Sequence, residues 1–352
     1  IGLSALLVST SKQMQFFVEH ARKHKMNIPI LCGGAAINSN YINRIAKEDG
    51  IYEPGVFYCN TMFEGLKTMD VLVSDEKPKL LADWKEKIEN WKEKSNATVD
   101  PDTLPKSEIK PITPPTPKII GEPIRLKLDQ INMTEVWTMI DKKSLFKLSW
   151  GLRGKAGSES EEEHEQLLTE WKMRIIRDKL IEPEIVYGYF KCHNNNRKLL
   201  VENPHGDNVE LEFPRSTKSD HLCLTDYFGD EDIVAFQSVT VGNKVADIIE
   251  QWNKEDKYTD AYYLHGLAVE VAEALAEWVN QKIKTELNLE KGGLRYSWGF
   301  PSCPDVTQHH LVWKLLQPEK SGMTLTESGQ IIPEQSTAAI VVHHPDAKYF
   351  VL

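Results

Sequence analysis

The chain opens on an apolar run, Ile1-Gly2-Leu3-Ser4-Ala5-Leu6-Leu7-Val8, which has the hydrophobicity of a strand buried on both faces of a parallel sheet. Ser9-Thr10-Ser11 then offer N-cap hydroxyls, and Met14, Phe17, Val18 and Ala21 recur on one helical face. Ile28-Pro29-Ile30-Leu31-Cys32 reads as a second short buried strand, ending at Gly33-Gly34. A helix over about 39–47, a strand at Val56-Phe57-Tyr58 and a helix carrying Met62, Leu66, Met69 and Val73 continue the alternation. This predicts a doubly wound, Rossmann-like α/β unit over residues 1–85, with ligands at the carboxyl ends of its strands. A domain seldom begins inside its own core, so the unit is expected to be truncated, with further strands upstream of Ile1.

The pattern changes from about Asp83. Trp84, Ile88 and Trp91 keep helical spacing in a charged segment, and seven prolines follow between Pro101 and Pro123. Residues 86–125 are expected to form a charged, Pro-rich, semi-rigid linker. Helix and strand signals are then mixed over 126–352, which predicts an α+β domain. Leu167, Leu168, Trp171 and Ile175 mark an amphipathic helix, Glu184–Phe190 and Ile233–Thr240 strands, His265–Leu287 a long helix, and Ala338–His344 a late buried strand. Ser158–Glu163 is an acidic, solvated run.

Composition narrows the function classes. A formal charge of −10, with 41% hydrophobic and 27% charged residues, describes a globular protein without the basic face of a nucleic-acid binder. Five scattered cysteines without a Cys-x-x-Cys pair suit free thiols in a reducing compartment. No secretory signal or membrane-spanning run is evident, so a cytoplasmic protein with no membrane partner is expected. The pairs His309-His310 and His343-His344 have no companion ligands in the sequence, and no metal site is expected from them.

One stretch carries the chemistry: Leu294-Arg295-Tyr296-Ser297-Trp298-Gly299-Phe300-Pro301-Ser302-Cys303-Pro304-Asp305. An Arg, a Gly and two Pro among aromatics predict a shaped loop, with Arg295 at its entrance offering a donor fork to a carboxylate or phosphate. A structural turn with a surface Arg fits those residues equally well. With Gly322-Met323-Thr324-Leu325-Thr326-Glu327-Ser328 and His344-Pro345-Asp346-Ala347-Lys348-Tyr349-Phe350 in the same order, the loop resembles the activation domain of the cobalamin-dependent methionine synthase family. That family has an Arg-x-x-x-Gly-Tyr-Pro-Ala-Cys-Pro loop.

The resemblance covers nearly the whole chain outside the linker. It implies an α/β cobalamin-binding part followed by an α+β domain that binds S-adenosylmethionine. Arg295 would hold the ligand carboxylate, Glu273 would lie near its ammonium, Asp141 would contact the ligand, and Gly299, Phe300, Val341 and Val342 would line the site. Taken alone, Asp141 reads as a helix N-cap and Glu273 as part of an acidic face with Glu270 and Glu277. For cobalamin the resemblance implies Ser4, Gly33 and Gly34, with Thr61 matched by position and also suited to an N-cap. The axial His would lie upstream of Ile1. Phe300 stands where the family has Tyr, Val341-Val342 where it has Tyr-Phe, and Val8 where it has a second cobalamin-contacting Thr.

The implied activity is methyl transfer from 5-methyltetrahydrofolate through cobalamin to homocysteine. This fragment would serve reductive reactivation of cob(II)alamin to methylcobalamin, with a flavodoxin-like electron donor. Homocysteine and methyltetrahydrofolate domains, and zinc, would belong to an N-terminal part. A non-catalytic corrinoid carrier without S-adenosylmethionine binding is the alternative, and a cobalamin-dependent mutase domain a more distant one.

Overall fold

The computed structural model describes residues 1–5, 8–34, 37–92, 104–152 and 159–351. It divides into two compact units, Ile1–Thr103 with Gly299–Pro304, and Leu104–Trp298 with Asp305–Leu352.

In the first unit β1 (Gly2–Ser4), β2 (Ile30–Gly33) and β3 (Val56–Tyr58) form a parallel sheet in that order. Helices α1 (Val8–Lys23), α2 (Ser39–Lys47) and α3 (Met62–Leu72) follow the strands in turn, and α4 (Lys77–Asn90) closes the unit. Parallel neighbours require crossovers, and the helices supply them. The helix positions Met14, Val18, Ala21, Ile42 and Ile45 pack with Ile30, Cys32 and Val56 in one core.

Three expectations are corrected by the structure. β1 spans three residues and is not buried on both faces: it lies at the sheet edge, where Gly2 and Ser4 are exposed. Ser9 and Thr10 lie inside α1, which begins at Val8, so they are not the residues just before it. Leu66, Met69 and Val73 face solvent. Finally, packing continues past the expected boundary at residue 85. Trp84 and Ile88 of α4 are buried, and Trp84 Nε1 donates to the Val56 carbonyl at 2.9 Å.

The second unit is built on an antiparallel sheet of seven strands. β7 (Val209–Glu212), β6 (Lys198–Val201), β5 (Glu184–Asn195), β8 (Asp232–Thr240), β12 (Ser336–Val342) and β9 (Leu294–Ser297) follow one another, and β4 (Ile124–Lys127) pairs with β5. β10 (Thr324–Leu325) and β11 (Ile331–Ile332) make a small ribbon. The helices are α5 (Met133–Thr138), α6 (Lys142–Ser144), α7 (Glu159–Asp178), α8 (Lys244–Lys254), α9 (Tyr258–Glu286) and α10 (His309–Leu316). α6 runs on into a π-helical turn, Leu145–Ser149.

Alternation along β8 places Ala235 and Val239 in a core with Leu264, Leu267, Val271 and Leu275 of α9. Of the expected linker, residues 104–123 are without helix or strand yet are tied into this unit. Gly121 N–H donates to the Tyr189 carbonyl at 2.7 Å, and the Lys110 carbonyl is 3.0 Å from His344 Nε2. Pro101 lies outside the described residues. No helix among the described residues is long and apolar enough to cross a membrane.

Candidate functional site

Arg295 sits on a strand, not at a loop entrance as its composition suggested. β9 pairs with β12 through Arg295 beside Val341 and Leu294 beside Val342. That edge position fixes the backbone and sends the guanidinium toward α9. There Arg295 Nη2 meets Glu273 Oε2 at 2.8 Å and Nε lies 3.5 Å from Glu277 Oε2. Burial works against the charge of Arg295, whose side chain is 18% exposed. The two glutamates more than offset this and raise its pKa above the ordinary guanidinium value. Glu277, expected to be only solvated, is therefore part of the site.

Asp141 caps α6 as its sequence context suggested, its Oδ1 accepting from Lys143 N at 3.0 Å and Ser144 N at 3.1 Å. Its exposed carboxylate keeps acceptor capacity beyond these two bonds. Glu270, expected on the solvated acidic face, is buried instead. Its Oε1 accepts from Ser144 Oγ at 2.6 Å and Ser149 Oγ at 3.1 Å. Burial pushes its carboxyl above the usual carboxylate range, and Asp141 and Glu273 add repulsion, while the two serines oppose the shift. The i, i+3, i+7 spacing of Glu270, Glu273 and Glu277 was the sequence signal for this group. Glu273 and Glu277 thus meet Arg295, and Glu270 links Glu273 to Asp141 by proximity.

Tyr349 joins them from the C-terminal segment. Its hydroxyl is 3.3 Å from the Arg295 carbonyl and its ring 5.3 Å from that of Tyr296. Tyr349 is itself largely exposed. Val341 and Val342 are not brought to the surface: both side chains are buried, and Val341 packs in the α9 core. Their pairing with Arg295 and Leu294 holds β9 in register. Gly299 and Phe300 belong to a tight turn in the first unit. Gly299, at φ +99°, donates to the Cys303 carbonyl at 2.7 Å, and Phe300 is 54% exposed.

Among the residues expected to touch cobalamin, Ser4 lies beside Gly33 at the carboxyl ends of β1 and β2, with Ser4 exposed. Gly34 has φ +111°, and a Cβ there would lie 2.2 Å from the Ala5 carbonyl oxygen. The chain's own backbone therefore demands glycine at that turn. A Cβ at Gly33 would come within 3.1 Å of the Cys59 carbonyl oxygen. Thr61 is the N-cap of α3, its hydroxyl accepting from Glu64 N at 3.2 Å.

The histidine pairs are structural. His309 Nδ1 bonds the Gly329 carbonyl at 2.7 Å, and His343 Nε2 is 2.8 Å from buried Asp232. Among the described residues no group of three His, Cys, Asp or Glu side chains could hold a metal ion.

Methionine synthase of Mycobacterium tuberculosis (strain ATCC 25618 / H37Rv) is 30% identical over 412 aligned residues, covering 99% of this chain and 34% of the relative. Methionine synthase of Mycobacterium leprae (strain TN) is 28% identical over 415, covering 99% and 34%. The chain therefore spans about a third of the length of these curated relatives. A crystal structure described as the MetH reactivation domain bound to AdoHcy shares the fold at a TM-score of 0.59 and 21% identity. It covers 68% of this chain and 83% of that one. Residues 132–352 match the family model described as vitamin B12 dependent methionine synthase, activation domain, and the chain belongs to that family.

Proposed function

We propose that this chain binds S-adenosylmethionine at the Arg295 site and presents it for reductive reactivation of a cobalamin-dependent methionine synthase. The observation that carries this reading is the charge pattern: one partly desolvated Arg flanked by Glu273 and Glu277, with Glu273 and Asp141 both close enough to repel the buried Glu270. S-adenosylmethionine carries a carboxylate, an ammonium and a sulfonium, with net charge of about +1 at neutral pH. Its carboxylate would take the donor fork of Arg295 from Glu273, and the freed Glu273 and Asp141 would receive the ammonium. One internal ion pair is thereby exchanged for two with the ligand, and the excess acid is met by the sulfonium.

For the first unit we propose cobalamin binding through the Ser4 and Gly33–Gly34 end of the sheet, with Thr61 at the edge of that site. The fit rests on an exposed hydroxyl beside a tight glycine turn at strand carboxyl ends. Bound cobalamin would supply the cobalt that accepts methyl groups. The upstream homocysteine and methyltetrahydrofolate domains, and a flavodoxin-like electron donor, complete the proposed assembly.

The corrinoid-carrier alternative draws on one observation. Arg295 already has two carboxylate partners, and Val341 and Val342 offer a ligand no side chain. Calorimetric titration of S-adenosylmethionine into the 352-residue chain separates the two readings. Saturable binding that Arg295→Ala removes supports the reactivation role; no binding by the folded chain supports the carrier.

A further inference from the structure

We propose that Glu270 is a positioning residue for this site: its carboxylate ties the segment bearing Asp141 to the helix bearing Glu273, and so holds the two ligand carboxylates together. The inference rests on the reading that Asp141 and Glu273 receive a cationic ligand.

The connection is continuous. Asp141 Oδ1 accepts from the Ser144 N–H, and the Ser144 hydroxyl donates to Glu270 Oε1 at 2.6 Å. Ser149, at the end of the π-helical turn, donates to the same oxygen at 3.1 Å. One carboxylate oxygen therefore grips both ends of the turn. The rest of the contact is equally close. A Cβ at Gly266, one turn earlier on α9, would lie 2.9 Å from Trp150 Cδ1 and 3.1 Å from Ser149 Cβ. Trp150 Nε1 also donates to the Tyr263 carbonyl at 3.0 Å. π-helical turns are rare and concentrate at functional sites.

Glu270 has no Lys, Arg or His partner among the described residues, and its neighbours Asp141 and Glu273 repel it. A buried unpaired carboxylate is costly, and a plain core would be served by a neutral acceptor. Placed one helical turn before Glu273 and one residue away from Asp141 in the hydrogen-bond chain, it instead fixes the spacing of the two acids that face the ligand.

The test is calorimetric titration of S-adenosylmethionine into the full 352-residue chain carrying Glu270→Leu, Glu270→Gln or Asp141→Asn, and into the Glu270→Leu/Asp141→Asn double variant. Thermal melting checks each fold. Glu270→Leu should weaken binding by about tenfold, Glu270→Gln should restore most of it, and the Leu effect should shrink to within about twofold when Asp141 is already Asn. A merely structural role would give additive losses, which overturns the proposal. Wild-type affinity in Glu270→Leu overturns it too, as does failure of Gln to restore binding. If Glu270→Leu does not fold, Ser144→Ala/Ser149→Ala removes the same bonds and should show the same dependence on Asp141. Absence of binding in the wild type sinks the underlying site reading instead, and is told apart by needing no variant.

Discussion

His309 sets a pH dependence that can be worked from the structure. It opens α10, is 6% exposed and lies against Trp298 and Trp313. Its Nδ1–H donates to the Gly329 carbonyl, while Nε2 is buried without a partner. A proton at Nε2 would be buried with no acceptor among the described residues, so burial depresses the pKa from 6.5 to about 4. The folded chain then binds fewer protons than the unfolded chain between those values, and stability falls as pH falls. The loss is about 2 kcal/mol by pH 5 and about 3 kcal/mol by pH 4. Carboxylates titrate over the same range, so the comparison is with His309→Asn, whose amide keeps a donor for Gly329 but does not titrate. Urea unfolding of both chains at about pH 7, 6 and 5 should show the wild type losing about 2 kcal/mol more than the variant. Parallel stability profiles would refute the buried neutral imidazole.

Other expectations follow from the same kind of accounting. Arg215 and Asp226 form a buried two-pronged pair, at 2.6 and 2.8 Å; Asp226→Ala should cost about 3–5 kcal/mol in urea unfolding because it strands a buried cation, and a cost under about 1 kcal/mol would contradict this. Gly34→Ala puts a methyl group 2.2 Å from the Ala5 carbonyl oxygen at φ +111°, and should destabilise the first unit by about 2 kcal/mol or more in hydrogen exchange of β1 and β2. Arg295→Ala leaves two half-exposed carboxylates, Glu273 and Glu277, without their partner, so its unfolding free energy should stay within about 1 kcal/mol of wild type; a larger loss would make Arg295 a fold residue.

Much of this arrangement was legible in the chain. Strong periodicity located α2 to the residue, and β3 likewise, because flanking Gly and Asn residues punctuate them. The resemblance pointed to Arg295 and Glu273, which the fold pairs across β9 and α9, and to Asp141, which caps α6. Other features were hidden for physical reasons. Periodicity reports a helix but not which neighbour covers it: Leu66 and Met69 of α3 are exposed. The stretch around Arg295 looked like a loop because Gly and Pro dominate it, yet pairing with β12 makes Leu294–Ser297 a strand. Tertiary pairing overrode local propensity there. Glu270 looked solvated because nothing in its own segment signals the serines that meet it, which lie 121 and 126 residues earlier in sequence. Pro-rich residues 104–123 looked like part of a semi-rigid linker, but the bonds of their backbone to the Tyr189 carbonyl and the His344 ring are long-range and leave no local pattern.

The central claim is that Arg295 reads the ligand's carboxylate. The direct test is calorimetry of S-adenosylmethionine and its decarboxylated analogue on the wild-type chain and Arg295→Ala. A charge-assisted pair of this kind predicts a loss of about 10 to 100-fold for S-adenosylmethionine, with the analogue changed by no more than about twofold. Equal losses for both ligands, or no loss for S-adenosylmethionine, would contradict it.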